Sequence, residues 1–157
     1  MRVGFGYDVH ALVSGRPLIL GGVQIPYPYG LQGHSDADVL LHAIGDALLG
    51  AIAHGDIGKY FPDTDPQYRG IRSTILLKRV AAMVREKRFY IVNVDSTLVA
   101  QKPKLSDFIP TMVQEIAETL EIDPSRVNVK ATTTESLGFA GRGEGIAAYA
   151  IALVGED

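Results

Sequence analysis

Apolar and polar residues alternate at the start of the chain. Val3, Phe5, Tyr7 and Val9 fall on one side of an extended segment, and Gly4, Gly6, Asp8 and His10 fall on the other. This period of two predicts a strand whose polar pair, Asp8 and His10, shares a face. Leu18–Leu20 and Val23–Ile25 read as two short strands joined by Gly21-Gly22, which can take the positive φ angles of a tight hairpin. Pro26 and Pro28 then end regular pairing. Over residues 36–53 the apolar spacing becomes helical, with Ser35 as the expected cap and Asp38 completing a capping-box variant. Residues 54–66 are rich in turn formers and acids and read as an ordered functional loop.

The same reading gives a helix over 73–87, a strand over 89–100, a lysine-bearing loop and a helix over 106–121. Pro110 fits that last helix only because it falls in the first turn. Asp123-Pro124-Ser125 makes a turn, residues 127–131 a short strand, and 132–145 a polar segment with four glycines. An apolar strand over 146–154 closes the chain. Strands and helices alternate without a repeat or linker, which predicts one mixed α/β (α+β) domain over 1–157, its helices layered on one face of a mixed sheet.

Composition narrows the function. At 157 residues and 46% hydrophobic, the chain can bury one sizeable core. It has no cysteine, so disulfides and thiolate metal sites are excluded, and a transition metal would need histidine and carboxylate ligands. That suits a reducing cytosol. No apolar run approaches the ~20 residues of a membrane span, and the chain reads as a strand from Arg2 onward rather than as a leader. A cytoplasmic protein free of the membrane is therefore expected. A net charge of -3 argues against nucleic acid as a partner. An anionic ligand would have to be attracted locally, by metal ions, aimed backbone amides and a few cations.

Asp8 and His10 could grip one ion together, and His42 could complete the set from the first helix. Two nitrogens, one carboxylate and an open position describe a catalytic rather than a structural zinc site. Taken alone, Asp-x-His also describes ordinary polar strand ends. Asp38, His42 and Asp46 fall four apart on one helical stripe, so Asp46 or Asp38 could partner the second nitrogen of His42; a solvated face with a passenger histidine has the same spacing. His34-Ser35 at the expected helix start could meet an anion through free amides, or Ser35 could simply cap. Lys102 and Lys104, flanking Pro103, suit a phosphate but equally suit solvent. Glu135, after Thr132-Thr133-Thr134, is a reasonable oxygen ligand for magnesium. Gly138 to Gly145 could form an anion nest but matches no nucleotide fingerprint, and Arg142 and Glu144 could pair with each other.

Together these segments resemble the 2-C-methyl-D-erythritol 2,4-cyclodiphosphate synthase family of the non-mevalonate isoprenoid route. The resemblance runs nearly end to end. It is carried by Gly4-Phe-Gly-Tyr-Asp-Val-His10, Gly33-His-Ser-Asp-Ala-Asp-Val39 leading to His42, and Gly55-Asp-Ile-Gly58 with Phe61-Pro-Asp-Thr-Asp-Pro66. Gln101-Lys-Pro-Lys104 and Lys130-Ala-Thr-Thr-Thr-Glu135 followed by Gly138-Phe-Ala-Gly-Arg-Gly-Glu-Gly145 continue it in the family's order.

The resemblance implies a metal-dependent phosphorus-oxygen lyase. Asp8, His10 and His42 would hold zinc, and Glu135 would hold magnesium or manganese. His34 and Thr133 would stabilise the transition state, with Ser35 beside them. Asp56, Ile57, Gly58, Phe61, Pro62, Asp63, Thr64 and Asp65 would enclose an erythritol portion, with Asp8 and His10 also facing the substrate. Ala100, Lys102, Lys104, Leu105, Ser106, Thr132, Thr133, Thr134 and Glu135 would surround a cytidine diphosphate. Leu105 and Ser106 depart from the family's usual residues. The family implies a four-stranded mixed sheet, a homotrimer with its sheets facing one another and active sites between subunits. Phe139 and Arg142 would be further substrate-contacting positions, and with Glu144 they would partly line a central cavity able to hold an isoprenoid diphosphate. The monofunctional form, without a fused cytidylyltransferase domain, is expected. Two rival readings use part of this set: a zinc phosphohydrolase, and a non-catalytic isoprenoid-diphosphate sensor.

Overall fold

The structure, a computed structural model, describes residues 1–157. The opening alternation becomes β1 (Arg2–Ser14), which runs past His10. The hairpin forms as β2 (Leu18–Leu20) and β3 (Val23–Ile25), with Gly21 at φ 61° and Gly22 at φ 77°. A three-residue strand, β4 (Tyr29–Leu31), follows. The helices are α1 (Val39–Ala51), a single turn α2 (Ile57–Tyr60), α3 (Ser73–Glu86), α4 (Ile109–Leu120) and a short α5 (Gly138–Gly141). The remaining strands are β5 (Phe89–Val99), β6 (Val127–Thr132) and β7 (Gly145–Glu156).

The sheet order is β4-β1-β7-β5-β6. Strands β1, β7, β5 and β6 form the expected mixed four-stranded sheet, antiparallel except for the β5–β6 pair. Strand β4 extends it to five by pairing with residues 12–14 at the β1 edge. Helices α1, α3 and α4 cover one face, and the core lies between them and the sheet.

The approach of α1 to β1 is unusually close, and the two glycines of the inner face permit it. A Cβ on Gly4 would lie 1.8 Å from the Ala47 carbonyl oxygen, and one on Gly6 would lie 1.9 Å from that of Ala43. The helix meets the strand with alanines, and β7 adds the buried Ala148, Ala150 and Ala152. Backbone therefore packs on backbone, and α1 is fixed in depth.

The opposite face of the sheet has no cover within the chain. Val3 is 67% and Phe5 61% exposed, and Tyr7, Val9, Tyr149 and Ile151 share that face. Phe5 pairs across the ladder with Ile151 and Tyr7 with Tyr149, so the exposed side chains form one apolar patch.

Three boundaries differ from expectation. The N-cap of α1 is Asp38, not Ser35: its carboxylate accepts from Leu41 N at 3.1 Å, and also from Gly21 N at 3.0 Å and Gly22 N at 2.7 Å. Asp38 thus ties α1 to the hairpin, while Ser35 Oγ accepts from Ala37 N in the preceding turn. The segment expected as one helix over 106–121 divides into a 3-10 turn, Ser106–Phe108, and α4, with Pro110 in its first turn. Strand β4 was hidden by its length. Asp38 is fully buried, and burial, reinforced by the charge of Asp36, pushes its carboxyl up to about 6 despite the three donating amides.

Candidate metal centre and two flanking pockets

The alternation of β1 carries the inner face from Gly4 and Gly6, pressed against α1, to Asp8 and His10, where the helix begins to leave the strand. His42, in the first turns of α1, reaches that point. Asp8 Oδ2 lies 2.8 Å from His10 Nε2 and 3.1 Å from His42 Nδ1, and the two nitrogens are 3.3 Å apart. Ligands bound tetrahedrally to zinc at ~2.0–2.1 Å stand about 3.3 Å from one another, so the three atoms already have the spacing of such a set.

The outer nitrogen of each imidazole is engaged. His10 Nδ1 donates to the Gln32 carbonyl at 2.7 Å, which leaves Nε2 facing the other ligands. His42 Nε2 lies 2.8 Å from Ser73 Oγ and 3.3 Å from Ser35 Oγ. The partners expected from the helical stripe are occupied elsewhere: Asp46 accepts from Ile57 N at 2.8 Å, and Asp38 caps α1. Burial works to raise the Asp8 carboxyl, but hydrogen bonds and charge from both histidines outweigh it and hold the group at about 2. Burial likewise works to lower His10, and Asp8 outweighs that too, so its net shift is upward. One carboxylate and two oriented imidazoles fit a divalent cation such as zinc.

The triad forms one wall of a 490 Å³ cavity that Gly33, His34, Ser35, Ile57, Gly58, Phe61, Pro62, Asp63, Tyr68 and Leu76 complete. His34 is held on two sides. Its Nε2 donates to the Asp65 carbonyl at 2.8 Å, and the Arg16 guanidinium brackets its backbone, donating to Gly33 O at 3.0 Å and Ser35 O at 2.8 Å. His34 does not lie at a helix start with free amides, because Asp38 occupies that role. Asp56 and Asp65 spend their carboxylates on capping α2 and the 3-10 turn Pro66–Tyr68, and with Thr64 they fall outside the cavity wall.

A second cavity of 480 Å³ is lined by Ala100, Gln101, Lys102, Pro103, Lys104, Leu105, Ser106, Ile109, Ala131, Thr132 and Thr133. It shares no lining residue with the first. Thr134, Glu135, Phe139 and Arg142 line neither. Glu135 is exposed in a left-handed turn at φ 54°, its N–H donating to Thr133 Oγ1 at 3.2 Å. Arg142 pairs with Glu144 at 3.0 Å. Within one chain, the residues expected at a single site therefore stand in three places.

Sequence reasoning did not find Tyr68, Leu76, Ile109 or Ala131 in the cavity walls, nor Arg16, Gln32 and Ser73 behind the site. Ala131 sits within one of the motifs but offers no polar group to mark it, and each of the others lies outside the motifs or far along the chain from the group it serves.

Fold and triad define the class: an α+β domain that presents one carboxylate and two imidazoles as a divalent-metal site. The profile of the YgbB family matches residues 1–155. The chain belongs to that family, whose relatives here are 2-C-methyl-D-erythritol 2,4-cyclodiphosphate synthases. The synthase of Geotalea daltonii is 67% identical over 154 residues, covering 98% of this chain and 90% of that protein. That of Geobacter sulfurreducens is 64% identical, covering 99% of each. Among solved structures, the bifunctional IspDF of Campylobacter jejuni superimposes with a TM-score of 0.96 at 48% identity over 99% of this chain, which spans 42% of that longer protein. A synthase bound to CDP gives 0.90 at 36% identity, covering 98% of this chain and 100% of the other.

Proposed function

We propose that the chain converts 4-diphosphocytidyl-2-C-methyl-D-erythritol 2-phosphate to 2-C-methyl-D-erythritol 2,4-cyclodiphosphate and releases CMP. The observation that carries this reading is the triad, with its three donor atoms within 3.3 Å of one another and both outer imidazole nitrogens engaged. The relatives' shared activity and the CDP bound to one of them supply the substrate class.

The reacting groups belong to the substrate. Its 2-phosphate oxygen attacks the β-phosphorus, a new P–O bond closes the ring, and the bond to the bridging oxygen breaks, so CMP carries away the electron pair. Such a transfer asks the protein mainly for alignment and charge stabilisation. Asp8, His10 and His42 would hold zinc and Glu135 magnesium or manganese, which when bound would offset the repulsion between two polyanions and polarise the phosphoryl groups. His34 and Thr133 face the transferred group, with Ser35 beside them. Ile57, Gly58, Phe61, Pro62 and Asp63 pack the methylerythritol portion, with Asp56, Thr64 and Asp65 at the rim. The cavity of Lys102, Lys104 and their neighbours takes the cytidine diphosphate. Folding the flexible substrate into a near-attack shape supplies several kcal/mol, within the ~7–11 kcal/mol known for well-oriented intramolecular reactions.

We further propose a homotrimer in which the metal cavity of one subunit meets the lysine-lined cavity of its neighbour. The exposed apolar face of β1 and β7 supports it, since an isolated soluble domain seldom leaves such a patch in water. Phe139, Arg142 and Glu144 would then line a central cavity suited to an isoprenoid diphosphate. No helix is long and apolar enough to cross a membrane. A cytoplasmic setting suits a nucleotide-conjugated substrate.

Phosphorus-31 NMR of the protein mixed with zinc, magnesium and the cytidylated substrate tests the reaction. The expected product is a cyclic diphosphate with stoichiometric CMP. A linear phosphate would instead show hydrolysis and refute the cyclisation.

A further inference from the structure

We infer that Asp36 and Ser73 are positioning residues that decide which nitrogen of His42 is free to bind a cation, an inference that rests on the metal-site reading above. Asp36 lies in the turn before α1, and Ser73 is the first residue of α3. They meet across the fold. Ser73 Oγ donates to Asp36 Oδ1, Ser73 N donates to Oδ2 at 2.9 Å, and Asp38 N also donates to Oδ1, at 3.1 Å.

A carboxylate accepts hydrogen bonds and donates none. The single hydroxyl proton of Ser73 is therefore committed to Asp36, and the hydroxyl turns only lone pairs toward His42 Nε2, 2.8 Å away. The nearer partner of Nε2 thus favours the ring proton on that nitrogen, which leaves Nδ1 with its lone pair facing Asp8 and His10. Ser73 is 1% and His42 8% exposed, so water has little access to substitute for either partner. Ser35 Oγ accepts from Ala37 N and keeps its own proton, but at 3.3 Å it is the longer and weaker partner of Nε2.

The competing state is specific. With the proton on Nδ1, His42 would donate to Asp8 Oδ2, which lies 3.1 Å away, and that hydrogen bond would close the gap a cation needs. The Asp36–Ser73 chain weighs against that arrangement. It also couples the ligand to the start of α3, 31 residues beyond His42 in sequence, through side chains that touch neither cation nor substrate.

The test compares wild type with Ser73→Ala, Asp36→Asn and Ser96→Ala. Ser96 is another buried serine, on β5, whose hydroxyl donates to the Asn128 carbonyl and makes no hydrogen bond to the triad. Zinc affinity is read by competition with a chromophoric chelator, and the ring tautomer of His42 by nitrogen-15 NMR of the metal-free protein. Ser73→Ala is expected to weaken zinc ~10–100-fold and to turn a single Nε2–H tautomer into a mixture. Asp36→Asn keeps the serine but replaces one of the two accepting oxygens with a donor, which loosens the hold on the serine proton and shifts both readouts in the same direction by a smaller amount. Ser96→Ala changes neither. Wild-type affinity and an unchanged tautomer in Ser73→Ala would overturn the inference, as would an equal loss in Ser96→Ala. A wild-type protein that holds no zinc refutes the metal reading instead, and the tautomer then decides the inference alone.

Discussion

Replacing Gly6 by alanine should damage the metal centre without touching a ligand. The new methyl carbon would stand 1.9 Å from the Ala43 carbonyl oxygen and 2.9 Å from Ala47 N. A carbon beside a carbonyl oxygen settles at about 3.3 Å, so roughly 1.4 Å of separation has to be found. Both colliding groups are backbone, and no rotamer change relieves them. Helix α1 is buried in the core and anchored to the hairpin through Asp38, so it resists the shift. Overpacking of this kind costs about 1–3 kcal/mol, or roughly 2–12 °C in Tm for a domain of this size. His42 precedes Ala43 directly, and a movement near 1 Å exceeds the ~0.2 Å tolerance of a metal–ligand bond, so zinc affinity should fall at least tenfold. Thermal melts in chelator and calorimetric zinc titrations measure the two effects. Gly50→Ala supplies the opposite sign: its Cβ would meet nothing closer than 3.9 Å, and the helical substitution should stabilise by up to ~1 kcal/mol. Gly6→Ala with unchanged Tm and zinc affinity would refute the claim that contact between α1 and β1 sets the ligand spacing.

Further outcomes follow from other parts of the molecule. Zinc at a hundred times its Kd should add ~2.7 kcal/mol, or about 5–11 °C in Tm, and His42→Ala should lose that gain, the bound metal by elemental analysis and turnover while keeping its circular dichroism. Glu135→Gln should blunt the response of activity to magnesium and leave zinc content alone; an unchanged magnesium curve would count against its role. Asp38 makes metal-free stability depend on pH. Its folded pKa of about 6 lies above its ordinary 3.8, so the native state keeps a proton that the unfolded chain releases, and stability falls as pH rises from about 4 to 6. The loss should approach about 3 kcal/mol, seen as a flatter pH profile of urea midpoints in Asp38→Asn. Phe5→Asp on the uncovered sheet face should leave the fold intact and shift sedimentation from a trimer to a monomer; a trimer that persists would show that this face is not the contact.

Period-two alternation made β1 and its two faces legible, because one face had to carry glycine wherever the helix pressed and donors where it withdrew. The start of α1 was harder to read. Ser35, Asp36 and Asp38 can all cap, and the choice fell to Asp38 because the amides of Gly21 and Gly22, remote in sequence, needed the same acceptor. The partner of His42 was misread for a related reason: helical spacing offers Asp38 and Asp46, whereas Ser73 arrives from another helix with no spacing to announce it. Strand β4 has only the register of residues 12–14 to define it and no run of its own. The donor set itself was readable because cysteine was absent and histidines were few. Its closeness was a tertiary fact.

The two cavities share no lining residue, and this has a genetic consequence. If neighbouring copies each contribute one half, a chain crippled only at His42 and a chain crippled only at Lys104 are defective in different halves. Random co-assembly from an equal mixture would leave about one interface in four with both halves sound. Two inactive alleles in one cell could then complement each other.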